Sequence, residues 1–149
     1  MNTKVLILGS SGLIGHQIHN YLDNYDNFNL ANISYSRKLN NETLLLDARN
    51  EKLFIDQIKL IKPSYIVNCI GFLISQSNND PEGATIINAK LPHKLDKLAV
   101  ELNAKLIHIS TDCVFSGEKN QPYVESDFKD GKDTYSITKA LGEVVSTRH

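Results

Sequence analysis

Apolar positions along the chain fall into two alternating patterns. Residues 5–8 form a short unbroken apolar run that stops at Gly9, the pattern of a strand buried on both faces. Beyond the glycines, Ile14, Ile18, Leu22 and Tyr25 recur at three- and four-residue steps, which predicts a helix with one apolar stripe. Residues 28–35, broken by Asn, read as a second strand and residues 43–46 as a third. Phe54, Ile58 and Ile61 share a face in a predicted helix over 51–61, which Lys62-Pro63 stops because a residue before proline avoids the α region. Residues 65–70 read as a fourth strand ending at Gly71. Asp80-Pro81-Glu82 has the order of an N-cap, a first-turn proline and a first-turn acid. Ile87, Leu91, Leu95, Leu98 and Leu102 then make a long helical stripe, with Pro92 inside it and expected to kink it. Residues 106–110 read as a fifth strand, and residues 133–147 as a closing helix. Between them, the polar stretch 116–132 holds Gly117, Pro122 and Gly131; loops of that length are usually functional or disordered.

Strands alternating with helices predict an α/β fold: a doubly wound, Rossmann-type parallel sheet of five strands in the order 3-2-1-4-5. Such a sheet binds its ligands beyond the C-terminal ends of the strands, near the switch in strand order. No repeat or linker divides residues 1–149, so one domain is expected.

Composition narrows the function. Sixteen Lys and Arg against seventeen Asp and Glu leave a net charge of −1, which argues against a nucleic-acid domain. No apolar run approaches the length of a membrane span, and the N-terminal apolar run is too short for a signal peptide. Two cysteines, Cys69 and Cys113, are too few for a secreted disulfide scaffold, so the cytoplasm is the expected location. The five histidines do not cluster, and no spacing suggests a metal site. His16 and His19 read as a solvated helix face, His108 as a hydrogen-bonded core histidine, and Glu125, Asp127, Asp130 and Asp133 as solvation of the long loop.

Gly9-Ser10-Ser11-Gly12-Leu13-Ile14-Gly15 is G-x-x-G-x-x-G between the first strand and the first helix. Gly9 suits a tight turn, Gly12 a close approach of a pyrophosphate, and Gly15 close packing of helix on sheet. Backbone N–H groups of Ser11, Gly12, Leu13 and Ile14 at the helix start would face the phosphates. An NAD site places an acid about 20 residues past the turn. This chain has Tyr35-Ser36-Arg37-Lys38 there. Arg37 can fork onto a 2′-phosphate with Ser36 and Lys38 assisting, so NADP is the expected cofactor and NAD the alternative.

Tyr135-Ser136-Ile137-Thr138-Lys139 is Y-x-x-x-K, which puts a phenol and an ammonium on one helix face. A cation beside a phenol favours the phenolate, so Tyr135 can pass a proton to or from a carbonyl that exchanges a hydride. Thr111, at the expected end of the fifth strand, can hydrogen-bond the same carbonyl oxygen.

Taken together, these residues resemble the extended short-chain dehydrogenase/reductase superfamily. Ser110-Thr111-Asp112-Cys113-Val114-Phe115-Ser116-Gly117, Pro122-Tyr123-Val124-Glu125 and Lys139-Ala140-Leu141-Gly142-Glu143 are similar to segments of its dTDP-4-dehydrorhamnose reductase branch and sugar-nucleotide relatives. The resemblance runs from Lys4 to Glu143. It implies Thr111, Tyr135 and Lys139 as the catalytic set, with Tyr135 and Lys139 also touching the cofactor. It places Asp47 and Ala48 at the adenine, Ile70, Gly71 and Phe72 along the cofactor's ribose and diphosphate, and Asn88 in the helix behind. The implied activity is NADP(H)-dependent reduction of a 4-keto nucleotide sugar in cell-surface polysaccharide synthesis. A UDP-linked N-acetylated 6-deoxy-4-keto sugar is an alternative substrate, and a non-catalytic regulatory subunit an alternative role. Cys113 stands where sugar 4,6-dehydratases carry Glu, which disfavours dehydration. Relatives continue into a part that grips the nucleotide sugar. This chain stops at Ser146-Thr147-Arg148-His149, so that substrate-binding part is expected to be absent. A homodimer is compatible with the resemblance.

Overall fold

The computed structural model describes residues 2–144. Five parallel strands, β1 (Thr3–Leu8), β2 (Phe28–Ser34), β3 (Leu44–Leu45), β4 (Tyr65–Asn68) and β5 (Lys105–His108), lie in the order β3-β2-β1-β4-β5, as the pattern implied. Every pairing is parallel, and β1 sits at the centre with Leu6 opposite Ala31 on one side and Ile66 on the other. The strand side chains divide between two layers. Leu6, Leu8, Ile33 and Ile66 point into a cluster with Phe54 and Ile58 of α2 (Glu51–Ile61) and Leu95 and Leu98 of α5 (Leu91–Glu101). On the opposite face Val5, Ile7 and Val67 meet Ile18 and Leu22 of α1 (Leu13–Leu22).

Helix α1 departs from the expected stripe. Its buried residues are Gly15 and His19, while Ile14 and Tyr25 are exposed. The glycine sets the phase: the helix approaches the sheet at Gly15, and the facing row becomes 15, 18, 19 and 22. His19 is therefore inside rather than solvated, its Nε2 3.5 Å from Asn40 Nδ2. Helix α2 has the expected bounds, because Lys62 takes a left-handed conformation (φ 51°) ahead of buried Pro63.

Asp80 caps α4 (Pro81–Ala84) by accepting from Gly83 N–H at 2.8 Å. The helix then passes through a π-helical turn, Thr85–Lys90, before α5. Pro92 explains that turn: it has no N–H to give the carbonyl four residues back, Asn88, and its ring would crowd that oxygen. The expected kink is thus taken up as one wide turn, a form that π-turns inside helices commonly take. Helix α3 (Ile74–Asn79) was not legible in the sequence; Gln76 Oε1 starts it by accepting from Leu73 N–H at 3.3 Å. Helix α6 (Thr134–Leu141) begins at the N-cap Asp133, whose carboxylate accepts from Ser136 N–H at 2.8 Å. It is shorter than expected, with residues 142–144 non-helical and residues 145–147 outside the described ones.

Candidate functional site

The glycine turn joins β1 to α1 at the C-terminal edge of the sheet. Gly9 has φ +77°, and a Cβ there would stand 3.1 Å from the backbone of Cys69 and Ile70. A Cβ on Gly15 would stand 2.3 Å from the Gly9 carbonyl oxygen, so the helix can start this close only with glycine. Polar side chains pin the turn to β2, a feature that sequence spacing did not disclose. Fully buried Ser10 donates Oγ to Asn32 Oδ1 and shares a hydrogen bond with Ser34 Oγ, both at 2.9 Å. Ser34 Oγ accepts from Ser11 N–H at 3.0 Å, and Gly9 O accepts from Gly12 N–H at 3.0 Å. Two of the four N–H groups expected to face phosphates are thus engaged within the turn. Leu13 and Ile14 open α1, where N–H groups have no intrahelical acceptor, and they stay available to an anion.

Above this turn lies a cavity of about 390 Å³. Gly9, Ser11, Gly12, Asp47, Ala48, Ile70 and Gly71 line it, all of them expected cofactor residues. Phe72, implied by the resemblance, does so too, and Tyr35, Leu46, Arg49, Cys69, Gln76 and Ile87 complete the wall. Tyr35 and Arg49 form one side: Arg49 Nη2 donates to Tyr35 Oη at 3.3 Å with its guanidinium 5.6 Å from the ring centroid. The same guanidinium grips Asp47 through Nε and Nη2 at 2.7–3.0 Å, which holds the carboxyl below the usual range. The open N–H groups at the start of α1 and the glycine backbone beneath the cavity suit the diphosphate of a dinucleotide.

Ser36, Arg37 and Lys38 are exposed after β2. Arg37 folds back to donate Nη2 to the Ser11 carbonyl at 2.8 Å, which brings its charge to the turn although it does not line the cavity. Asn88, from the π-helical turn, stands behind the cavity. Its Oδ1 accepts from Phe72 N–H at 2.8 Å; its Nδ2 donates to Phe72 O at 3.0 Å and to Thr138 Oγ1 of α6 at 3.2 Å. One amide therefore ties the cavity wall to the helix that bears Tyr135 and Lys139.

On that helix Lys139 is buried and donates Nζ to the Ile109 carbonyl, just past β5, at 2.7 Å. Burial pushes its pKa down, and the Glu143 carboxylate pulls the other way. Tyr135 is half-buried one turn earlier on the same face. Thr111 caps the 3₁₀ turn Asp112–Val114, its Oγ1 accepting from Cys113 N–H at 3.2 Å. Gly131 packs between this turn and α6, donating its N–H to Val114 O at 3.0 Å. The long loop before α6 is irregular but pinned, and Asp127, Asp130 and the N-cap Asp133 are structural rather than solvating, while Glu125 is exposed as expected. Asp130 accepts from Ser116 N–H and Oγ at 2.7 Å each, and Asp127 from Lys119 Nζ at 2.6 Å. Phe115 and Tyr123 stack with centroids 4.5 Å apart.

A family model described as "RmlD substrate binding domain" matches residues 3–148. The chain belongs to this family. Among curated relatives, the RmlD-family chain is 29% identical over 144 residues to dTDP-4-dehydrorhamnose reductase of Escherichia coli (strain K12), covering 94% of this chain and 45% of that one. It is also 30% identical over 145 residues to methionine adenosyltransferase 2 subunit beta of Pongo abelii, covering 95% and 42%. Among solved structures, dTDP-4-dehydrorhamnose reductase of Bacillus anthracis str. Ames in complex with NADP superposes with a TM-score of 0.82 at 25% identity, covering 95% and 48%. The RmlD-family chain thus spans about half the length of the relatives it matches. Among its described residues no helix is long and apolar enough to cross a membrane, and no group of His, Cys, Asp and Glu could hold a metal ion.

A histidine beside Lys139 gives the RmlD-family chain a pH-sensitive core. His108 Nδ1 lies 3.1 Å from Asn68 Nδ2, and Asn68 Oδ1 accepts from Ile70 N–H, which fixes the amide as donor to the ring. His108 Nε2 is buried without a partner. Burial first, then the Lys139 charge, pushes the imidazole pKa down to about 4. An unfolded histidine titrates near 6.5, so the unfolded chain binds the extra proton more readily between those values. The contribution is complete above about pH 6.5 and is lost as pH falls toward 4; allowing for partial exposure it is of order 2 kcal/mol. Unfolding measured in urea at pH 7 and pH 4.5 should show the loss, and His108→Gln should flatten that part of the profile.

Proposed function

We propose that the chain is the dinucleotide-binding half of an NADP(H)-dependent reductase that acts on a 4-keto nucleotide sugar, with a place in cell-surface polysaccharide synthesis and in the cytoplasm. The observation that carries this reading is the joint made by Asn88: one side chain fastens the wall of the cavity above the glycine turn to a helix carrying Tyr135 and Lys139. The bound dinucleotide would supply the hydride. The chain's own groups do the rest. Leu13 and Ile14 N–H groups meet the diphosphate at the start of α1. Asp47 and Ala48 meet the adenine, Ile70, Gly71 and Phe72 line the ribose and diphosphate path, and Gly12 lets the backbone come close. Lys139, held by Ile109 O, has two further N–H donors for the ribose beside the nicotinamide. Tyr135 then gives its proton to the carbonyl oxygen as the carbon is reduced, and Thr111 hydrogen-bonds that oxygen.

The relationship to a methionine adenosyltransferase subunit favours a second reading, a non-catalytic dinucleotide-binding subunit. Thr111, Tyr135 and Lys139 weigh for the enzyme, since a subunit that only binds has no chemical need for a proton donor. Oxidation of NADPH with a panel of 4-keto nucleotide sugars, in a chain of the relatives' full length, decides between them: turnover supports the enzyme, and binding without turnover across the panel supports the subunit.

Arg37 gives the reading a separate test. Its guanidinium sits at the glycine turn with no acid nearby in sequence to receive a ribose 2′-OH. NADPH is expected to bind more tightly than NADH by calorimetry, and Arg37→Asp to narrow or reverse the gap. Equal affinities that the substitution leaves unaltered would remove Arg37 from the site.

A further inference from the structure

Helix α6 reaches the end of β5 through more than Lys139. One turn past that lysine, Glu143 accepts from Ser110 Oγ through Oε1 at 2.8 Å and pairs with Lys129 Nζ through Oε2 at 3.2 Å. Ser110 follows Ile109, whose carbonyl holds the Lys139 ammonium. Lys129 belongs to the long loop before α6 and lies over the Phe115 ring at 5.9 Å. A single carboxylate therefore meets both the strand end that positions Lys139 and the long loop before α6. Tyr135 and Lys139 stand four residues apart on one side of the helix, and Glu143 follows just past its end.

We propose that Glu143 is a positioning residue for Lys139: it clamps the Ile109-Ser110 strand end and the long loop to α6, and supplies the negative charge that keeps a buried ammonium in place. The inference rests on the reading of Lys139 as a cofactor-site residue. Burial works against a charged lysine here, and the other basic groups around it, His108 from β5, His93 from α5 and Lys129 from the loop, do not offset that cost. The Glu143 carboxylate offsets part of it. Ser110 and Lys129 fix that carboxylate in turn, so geometry and charge act through the same side chain.

The test is the titration of Lys139 in the 149-residue chain, followed by NMR of isotope-labelled lysine without cofactor. Glu143→Gln keeps an acceptor for Ser110 but removes the charge. It is expected to lower the pH at which Lys139 titrates. Ser110→Ala and Lys129→Met each break one arm of the clamp but leave the charge, and are expected to move the Lys139 titration far less. Lys139 titrating alike in wild type and Glu143→Gln overturns the proposal, as does a shift in Ser110→Ala equal to that in Glu143→Gln. If Glu143→Gln does not fold, Glu143→Asp carries the test: the retained charge should leave Lys139 near its wild-type titration, and a downward shift there overturns the proposal. Calorimetry with NADPH is run separately. Failure to bind NADPH would end the cofactor reading while leaving the Lys139 result to stand or fall alone.

Discussion

Replacing Tyr135 by phenylalanine is expected to lower turnover about 10²–10⁴-fold, the usual worth of one general acid, while dinucleotide affinity stays near wild type. The substitution removes one hydroxyl from a half-buried ring and leaves α6 intact: the Asp133 cap, the Thr138 hydrogen bond to Asn88 and the Lys139 contact with Ile109 O do not involve it. Loss of activity with retained fold and binding would therefore isolate the proton-transfer role. The measurement is NADPH oxidation with a 4-keto nucleotide sugar, in a chain of the relatives' full length, beside calorimetry on the same variant. Near-native turnover in Tyr135→Phe would falsify the assignment.

The second large effect is expected at Gly15. Alanine is the better helix former by about 1 kcal/mol, which alone would stabilise α1. The new Cβ, however, would stand 2.3 Å from Gly9 O, 2.9 Å from Gly9 C and 2.9 Å from Ser10 Cα. All three are backbone atoms of a turn fixed by buried Ser10, so nothing nearby is a flexible chain end that can swing away. Overpacking of this kind costs about 1–3 kcal/mol and sometimes more, so the steric effect wins. Gly15→Ala should lower the melting temperature by several degrees and weaken NADPH binding by displacing the first turn of α1 from the phosphates. Gly71→Ala is the control for stability: its Cβ would meet Asn88 Oδ1 at 3.6 Å, an ordinary contact. Equal melting temperatures for Gly15→Ala and the wild type would show that the turn yields more easily than its packing indicates.

Local signals in the sequence carried most of the fold. Short apolar runs found the strands, the second despite the Asn residues that break it. The alternation of elements found the parallel order, and Lys62-Pro63 found the end of α2. Asp80 announced a helix start through capping chemistry that acts within three residues, whereas Asp133, which caps α6 in the same way, read as loop solvation. What escaped was set by contacts between distant residues. The stripe of α1 looked like Ile14 and Tyr25, but the buried face follows from how closely Gly15 meets the turn before it. The loop acids looked solvated because Asp130 finds Ser116 across fourteen residues. In the candidate site, the glycine spacing was legible because a short motif carries it, while Asp47 and the Ile70-Gly71-Phe72 segment, which line the cavity, were named only through the family resemblance. Tyr35 and Arg49 were not, since their pairing spans fourteen residues and either alone reads as surface.

The wide turn at Thr85–Lys90 gives its helix a count that evolution is not free to change. Each residue advances an α-helix by about 100°, so a turn with one extra residue puts the two flanking segments out of phase by that amount. Deleting one residue here would let the helix close into regular repeats, and Asn88 would rotate away from Phe72 while Leu91 and Leu95 kept their places in the core. A side-chain substitution here changes one set of contacts at a time. An insertion or deletion, by contrast, would separate the core from the site in one step. Descendants of this chain should therefore vary in letters along this helix and hardly at all in length.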